Sequence, residues 1–252
     1  MSRRIAITGI GLLTPAGSTP DEFWAACLEG RSGLGRISAF DPSDYPTQIG
    51  GEVRGFDPEA YLDPKLVRRS DRYCQFALAA AAMALSDAGF GGLQPLPEEL
   101  QERTAVVVGS GIGGMSTFEE QFTLIKERGP RRMSPFFVPM LISDIAAGII
   151  AIETGAQGPN FAVVTACATS THCVGEAAQK IRLGQADMAI AGGAEAAVIP
   201  SALAGFSAAK ALSRRNDDPK RACRPFDRDR DGFVMSEGGA VVILEEMELA
   251  RS

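Results

Sequence analysis

The chain has 252 residues, enough for one large or two small domains, with 45% hydrophobic and only 7% aromatic residues. Abundant Ala and Gly favour close packing of helices on a sheet and exclude disorder or a fibre. A formal net charge of −6 argues against general nucleic-acid binding.

The start, Met1-Ser2-Arg3-Arg4, runs directly into an apolar strand over Ile5 to Thr8, without the h-region or cleavage site of a signal peptide. Thr19-Pro20-Asp21-Glu22 predicts a helix start, with Thr19 as N-cap, Pro20 at the first helical position and Glu22 closing a capping box. Gly30 marks its end. Residues 31 to 69 are rich in Gly, Pro, Asp and Arg and predict loop and short elements. Ser70 is read as the cap of a long Ala-rich helix ending at Gly89. After a Pro- and Glu-rich connector, Ala105 to Val108 reads as a strand.

Residues 115 to 127 have helical spacing, and 128 to 139 form a Pro- and Arg-rich excursion. Ser143 to Thr154 predicts a further helix, whose Ala147, Gly148 and Ala151 offer a small-residue face for tight packing. Phe161 to Val164 reads as a short buried strand. The helix after it has apolar positions at Cys173, Val174, Ala177, Ala178 and Ile181, and Gly184 sits where it would stop. Asp187 to Ala191 reads as a strand closed by Gly192-Gly193. Pro200 to Leu212 reads as a helix and Ala240 to Glu245 as the last strand. This alternation predicts an α/β fold with a mostly parallel sheet covered by helices on both faces. No apolar stretch reaches the length of a membrane span; even Met140 to Ile152 is interrupted by Ser143 and Asp144.

The five cysteines are Cys27, Cys74, Cys167, Cys173 and Cys223. The odd number and the absence of Cys-x-x-Cys argue against a disulfide framework or a zinc knuckle, and a reducing cytoplasm is the expected compartment. Cys167 stands apart because it falls at a strand-to-helix junction. Unpaired backbone N–H groups and the helix dipole there favour negative charge, which makes a thiol a better nucleophile. Spacing alone leaves a second reading open, a buried small hydrophobe.

Two patterns mislead. Gly109-x-Gly111-x-x-Gly114 matches a dinucleotide fingerprint, but no second strand or acidic residue follows at the required distance, so a tight loop is expected. Asp227-x-Asp229-x-Asp231-Gly232 copies the front of a calcium loop. Its twelfth position is Gly238, with Glu237 one place early, so the final bidentate carboxylate is missing. A salt-bridged turn among Arg224, Arg228 and Arg230 is expected instead. Neither a cofactor nor a metal ligand set is predicted.

The segments Ile7-Thr8-Gly9-Ile10-Gly11, Gly109 to Gly114, Ser134-Pro135-Phe136-Phe137-Val138-Pro139, Thr165-Ala166-Cys167, Ala191-Gly192-Gly193-Ala194-Glu195, Arg224-Pro225-Phe226-Asp227 and Arg230-Asp231-Gly232-Phe233 follow one another along the chain. In this order they resemble the amino-terminal part of a β-ketoacyl-acyl-carrier-protein synthase of the type II kind used in fatty acid synthesis. The resemblance spans essentially the whole chain. It implies a thiolase-like layered α/β fold of two similar halves, with residues 1–252 as the amino-terminal synthase domain. The family's second half supplies two histidines, a lysine and a further glycine-rich loop.

The resemblance also implies an activity, the decarboxylative Claisen condensation of an acyl thioester with malonyl-acyl-carrier protein. Cys167 would be the nucleophile that accepts the acyl chain, and its own N–H one oxyanion donor. Ile112 and Phe206 would line an acyl tunnel, to which Phe137 would come from the partner of a homodimer. The acidic, phosphopantetheine-bearing acyl carrier protein would dock on Lys65, Arg68, Arg69, Arg131 and Arg132. Further basic residues lie at Lys126, Arg128, Lys210, Arg214 and Arg215. The only histidine, His172, matches a non-catalytic helix position of the family, so a neutral imidazole packed in a helix interface is expected. Other readings remain open at this stage. They are a thiolase acting on coenzyme A thioesters, a non-catalytic partner subunit like a chain-length factor, and a truncated remnant.

Overall fold

The computed structural model describes residues 3–251; Met1, Ser2 and Ser252 lie outside the described residues. In chain order the elements begin with β1 (Ile5–Leu13), α1 (Pro20–Glu29), β2 (Leu34–Arg36), β3 (Ile49–Gly51), α2 (Pro64–Val67), α3 (Arg72–Asp87), α4 (Glu98–Gln101), β4 (Thr104–Gly109) and α5 (Met115–Arg128). They continue with α6 (Phe137–Leu141), α7 (Ile145–Thr154), β5 (Asn160–Phe161), α8 (Thr169–Arg182), β6 (Met188–Glu195), α9 (Pro200–Ala208) and β7 (Gly238–Glu246). They fall into two compact units. One holds the residues up to 12, 57–195 and those from 239 onward; the other holds 13–56 and 196–238.

The first unit is built on a sheet of strand order β1-β7-β6-β4-β5. β4 pairs in parallel with β5 on one side and β6 on the other. Every residue of β4 is buried, as a continuous Val-rich run predicts for a strand covered on both faces. On one face, Ala105 and Val107 of β4 and Ala189 and Ala191 of β6 pack against Cys173, Ala177 and Ile181 of α8. On the other, α3 meets β6 and α7 meets β4. Small side chains on the strands let α8 lie close, and that closeness positions its first turn.

An ion-pair clamp ties together the starts of β1, β4 and β6. Asp187 Oδ2 pairs with Arg103 Nε at 2.8 Å, and Oδ1 pairs with Arg3. Arg3 also donates to the carbonyls of Ile181 at 2.9 Å and Ala186 at 3.0 Å. The Arg103 hydrogen bonds, ahead of those from Arg3, outweigh partial burial and lower the Asp187 pKa from 3.8 to about 2. The folded value lies below the unfolded one, so the stabilisation is complete above about pH 5 and is lost as pH falls toward 2. The pair is partly solvated, so Asp187→Asn should cost only about 1 kcal/mol at pH 7. Denaturant titrations should show wild type and variant converging near pH 2; a pH-independent gap would contradict the assignment.

The second unit has an antiparallel ribbon, β2 with β3, in the register Leu34↔Gly51 and Arg36↔Ile49. Its core gathers Ile37, Val198, Leu203, Leu212 and Met235, with Phe40 and Phe206 packed against them. Thr19 caps α1 as expected, its Oγ1 accepting from Glu22 N–H at 3.2 Å, but the Glu22 carboxylate closes one residue before the cap, where Oε2 accepts from Ser18 N–H at 2.8 Å. Gly30 ends the helix in the left-handed region at φ 65°.

Several elements differ from expectation. Asp71, not Ser70, caps α3. The Asp71 carboxylate accepts from Tyr73 N–H, while the Ser70 hydroxyl turns back to the Leu66 carbonyl. Asp71 Oδ2 also accepts from Thr117 N–H and Oγ1, at 2.9 and 2.6 Å, which fixes the start of α5. β1 runs on to Leu13, and α9 stops at Ala208 rather than Leu212. β6 continues through Gly192-Gly193 instead of closing there. A Cβ on Gly192 would lie 2.1 Å from the Ala240 carbonyl oxygen, so glycine serves close strand approach rather than a turn. The strand before Cys167 is short and half-exposed because it is the edge of the sheet, and only Asn160 and Phe161 pair. The expected small-residue face of α7 is real at buried Ala147, but Gly148 faces open space within this chain.

Candidate active site

After β5 the chain turns through Thr165 into a single 3-10 turn, Ala166–Ala168, which leads straight into α8. Cys167 sits at the middle of that turn and is exposed. Ala166 just before it occupies the left-handed region at φ 51°. For an alanine this costs about 1 kcal/mol, so neighbouring contacts must hold it. The first turn of α8 carries no side-chain cap. The N–H groups at this junction are taken up by the backbone instead: Ala168 N–H donates to the Thr165 carbonyl at 3.1 Å and Thr169 N–H to the Ala166 carbonyl. The cysteine of α8 itself, Cys173, faces inward. Its Sγ lies 3.7 Å from the Val163 carbonyl, and burial, the larger influence, raises its pKa. The two thiols of this segment are therefore separated by environment into one accessible and one buried.

The glycine-rich loop after β4 lies against the Cys167 turn. A Cβ on Gly111 would come within 3.0 Å of the Ala166 carbonyl, so only glycine fits without displacement. The loop is fixed from the end of β6 by one carboxylate. Glu195 Oε2 accepts from Gly111 N–H at 3.0 Å and Ile112 N–H at 3.1 Å, and Oε1 accepts from Ser110 Oγ at 3.0 Å. Ser110 Oγ in turn accepts from Gly113 N–H at 2.9 Å. Glu195 appears in the sequence only as the last residue of a recognised segment. Its role depends on a contact between residues 84 positions apart, which no local pattern signals.

Of the expected site residues, Cys167 and the Ile112 loop are brought together in this way, with Ile112 40% exposed. Phe137 opens α6 half-buried, its ring 6.4 Å from that of Phe118. Phe206 lies on α9 in the second unit, edge-on to Phe233 at 5.3 Å. Lys65 and Arg68 are exposed on α2 and at its end. Arg69 follows, its guanidinium 4.6 Å from the ring of Phe136. Arg131 and Arg132 are exposed on the 3-10 turn after α5. The Arg69–Phe136 contact thus brings the first basic group to the segment that carries the second.

His172 departs from expectation. It is exposed rather than packed in a helix interface, and its Nδ1 shares a 2.7 Å hydrogen bond with Thr165 Oγ1. The calcium-like segment forms the expected salt-bridged turn, with Arg215 added to it. Arg224 pairs with Asp227 at 2.8 Å, Arg228 with Asp229 at 3.4 Å and Arg215 with Asp231 at 3.4 Å. Arg230 donates to the Asp227 carbonyl at 2.9 Å. Asp231 also accepts from Ser213 Oγ and Arg214 N–H, so its oxygens are engaged by the protein itself.

An exposed cysteine at a strand-to-helix turn of an α/β sheet, flanked by a glycine-rich loop, can present its thiol to an incoming electrophile. Residues 2–250 match the family described as β-ketoacyl synthase, N-terminal domain, and the chain belongs to that family. It is 46% identical over 98% of its length to 3-oxoacyl-[acyl-carrier-protein] synthase 2 of Synechocystis, and 46% over 99% to the synthase 2 of Vibrio cholerae. It is also 46% identical over 98% of its length to the chloroplastic synthase I of Arabidopsis thaliana. The chain spans 59% of the length of each of the two bacterial relatives and 52% of the plant one. A solved β-ketoacyl synthase from Burkholderia phymatum superposes with a TM-score of 0.88 at 32% identity, covering 100% of this chain and 60% of that one. A solved ketosynthase/chain length factor of ishigamide synthesis gives 0.87 at 32% identity, again over 100% of this chain and 60% of the other. The fold is thus the thiolase-like α/β fold of the ketosynthases.

Proposed function

We propose that the chain is the nucleophile-bearing part of a condensing acyltransferase of fatty acid elongation. The observation that carries this is Cys167, accessible on a strained turn at the uncapped start of α8. In the first step the Cys167 thiolate attacks the carbonyl carbon of an acyl-carrier thioester. The tetrahedral oxyanion is stabilised by backbone N–H donors, that of Cys167 among them. The carbon–sulfur bond to the phosphopantetheine arm then breaks, and the carrier thiol leaves. In the second step malonyl-carrier protein loses carbon dioxide, and its carbanion attacks the acyl-cysteine, releasing the Cys167 thiolate and the 3-oxoacyl carrier. The acyl chain would lie along apolar residues of the first unit, with Ile112 and Phe137 as its contacts. The retained cysteine favours this reading over a non-catalytic partner subunit, and the Thr165-Ala166-Cys167 context favours it over a coenzyme A thiolase.

The assembly would be a homodimer in a reducing compartment such as the cytoplasm. Edge strand β5 and the exposed apolar side chains Phe122, Val138, Ile152 and Val164, at 48, 60, 78 and 54% exposure, supply a surface for a second copy of the chain. Among the described residues no helix is long and apolar enough to cross a membrane. One solved neighbour, 29% identical, is described as an acyl-carrier protein in complex with its ketosynthase. The exposed residues Lys65, Arg68, Arg69, Arg131 and Arg132 are the proposed docking surface for such an acidic carrier. Steering by this charge acts on encounter rate and weakens with salt. Reversing Arg68→Glu and Arg69→Glu should slow acylation of Cys167 from a carrier-bound substrate about tenfold at low salt. Acylation by a small soluble thioester should be spared. Equal loss with both substrates would remove the docking role.

A further inference from the structure

Thr165 immediately precedes the 3-10 turn, a place where threonine ordinarily caps the following N–H groups. It does not do so here. Its hydroxyl instead meets His172 Nδ1 at 2.7 Å, at the fourth residue of α8 on the exposed face. Two further bonds hold the same loop: Thr165 N–H donates to Thr169 Oγ1 at 2.9 Å, and Ala168 N–H donates to the Thr165 carbonyl at 3.1 Å. Cys167 lies inside the bracket that Thr165 and His172 close. Drawing the hydroxyl to the imidazole has two physical consequences. It pins both flanks of a turn whose central residue, Ala166, is in an unfavourable backbone region. It also keeps the Thr165 hydroxyl from capping the 3-10 turn, which carries no side-chain cap at the Cys167 N–H.

We infer that the Thr165–His172 pair positions the nucleophile: it holds Cys167 on the turn that leads into α8 and keeps the Thr165 hydroxyl from capping the Cys167 N–H. The inference rests on the reading of Cys167 as nucleophile but assigns a role to two residues that do not touch the acyl group. It is tested by alkylation of the full chain with iodoacetamide, following each cysteine by peptide mass mapping. Cys27 and Cys223 are also exposed and serve as internal references. Thr165→Val and His172→Ala should each slow the reaction at Cys167 about tenfold, the kinetic equivalent of one net hydrogen bond. The double variant should be no slower than either single one, because both remove the same interaction. Thr165→Ser keeps the hydroxyl and should react like wild type, which a purely structural role for the threonine methyl would not allow. Unchanged Cys167 rates, additive losses, or equal slowing at all three cysteines would overturn the pair's role. In wild type, a Cys167 no faster than Cys27 and Cys223 would instead overturn the nucleophile reading itself.

Discussion

Cys167→Ser should lower the rate of acyl-enzyme formation by at least about a thousandfold while leaving thermal stability within about 2 °C of wild type. The change swaps sulfur for oxygen at an exposed position, so no packing is lost. What disappears is the chemistry. A serine hydroxyl is a weak nucleophile without an adjacent general base, and among the described side chains the nearby imidazole of His172 is engaged with Thr165. Single-turnover transfer from an acyl-carrier thioester, read by mass, measures the rate. Residual transfer within tenfold of wild type would mean that the reaction does not pass through this sulfur.

Gly109→Ala should have the largest structural effect near the site. The added Cβ would lie 2.6 Å from the Val163 carbonyl, 2.9 Å from Thr169 Cγ2 and 3.2 Å from Cys173 Sγ. These atoms cannot all yield, because Cys173 is fully buried in the core between α8 and the sheet. Overpacking of this kind costs about 3 kcal/mol, or roughly 6–12 °C in melting temperature for a chain of this size. The strain falls on the first turn of α8, so Cys167 should also lose reactivity even in the fraction that remains folded. A calorimetric shift under about 2 °C would show that α8 is held less tightly than its small-residue packing implies.

Much of this arrangement is legible in the residues, for identifiable reasons. Cys173, Ala177 and Ile181 repeat at helical spacing and are all buried, with Val174 and Ala178 beside them at the edge of the same cluster. The Val-rich run of β4 and the Thr-Pro start of α1 carry local signals strong enough to fix their elements. Cys167 stands out because a strand pattern ends and a helix pattern begins around it. Where local signals compete, the reading fails. Ser70 and Asp71 are both good capping residues in adjacent positions, and only the tertiary partner Thr117 favours the carboxylate. Gly192-Gly193 reads as a strand end, yet the glycines are there because the Ala240 carbonyl and the Ser170 hydroxyl come too close for a Cβ. An apolar run such as Phe161 to Val164 looks buried until the topology makes it an edge.

The site shows the same division. Cys167 and the loop beside it are visible as motifs, but what holds them is not. Glu195 clasps the Ser110–Ile112 loop across a long sequence separation, and His172 turns outward to Thr165 instead of inward to a helix neighbour. Each is the work of one side chain and depends on how β6 and α8 are placed. A pattern of apolar and polar residues carries no information about them.

Thioester formation itself is the most direct observable. The full chain, incubated with an acyl-carrier thioester or with cerulenin, should gain one covalent adduct, and peptide mapping should place it on the sulfur of residue 167. An unmodified Cys167, with label at Cys27, at Cys223 or nowhere, would contradict the account.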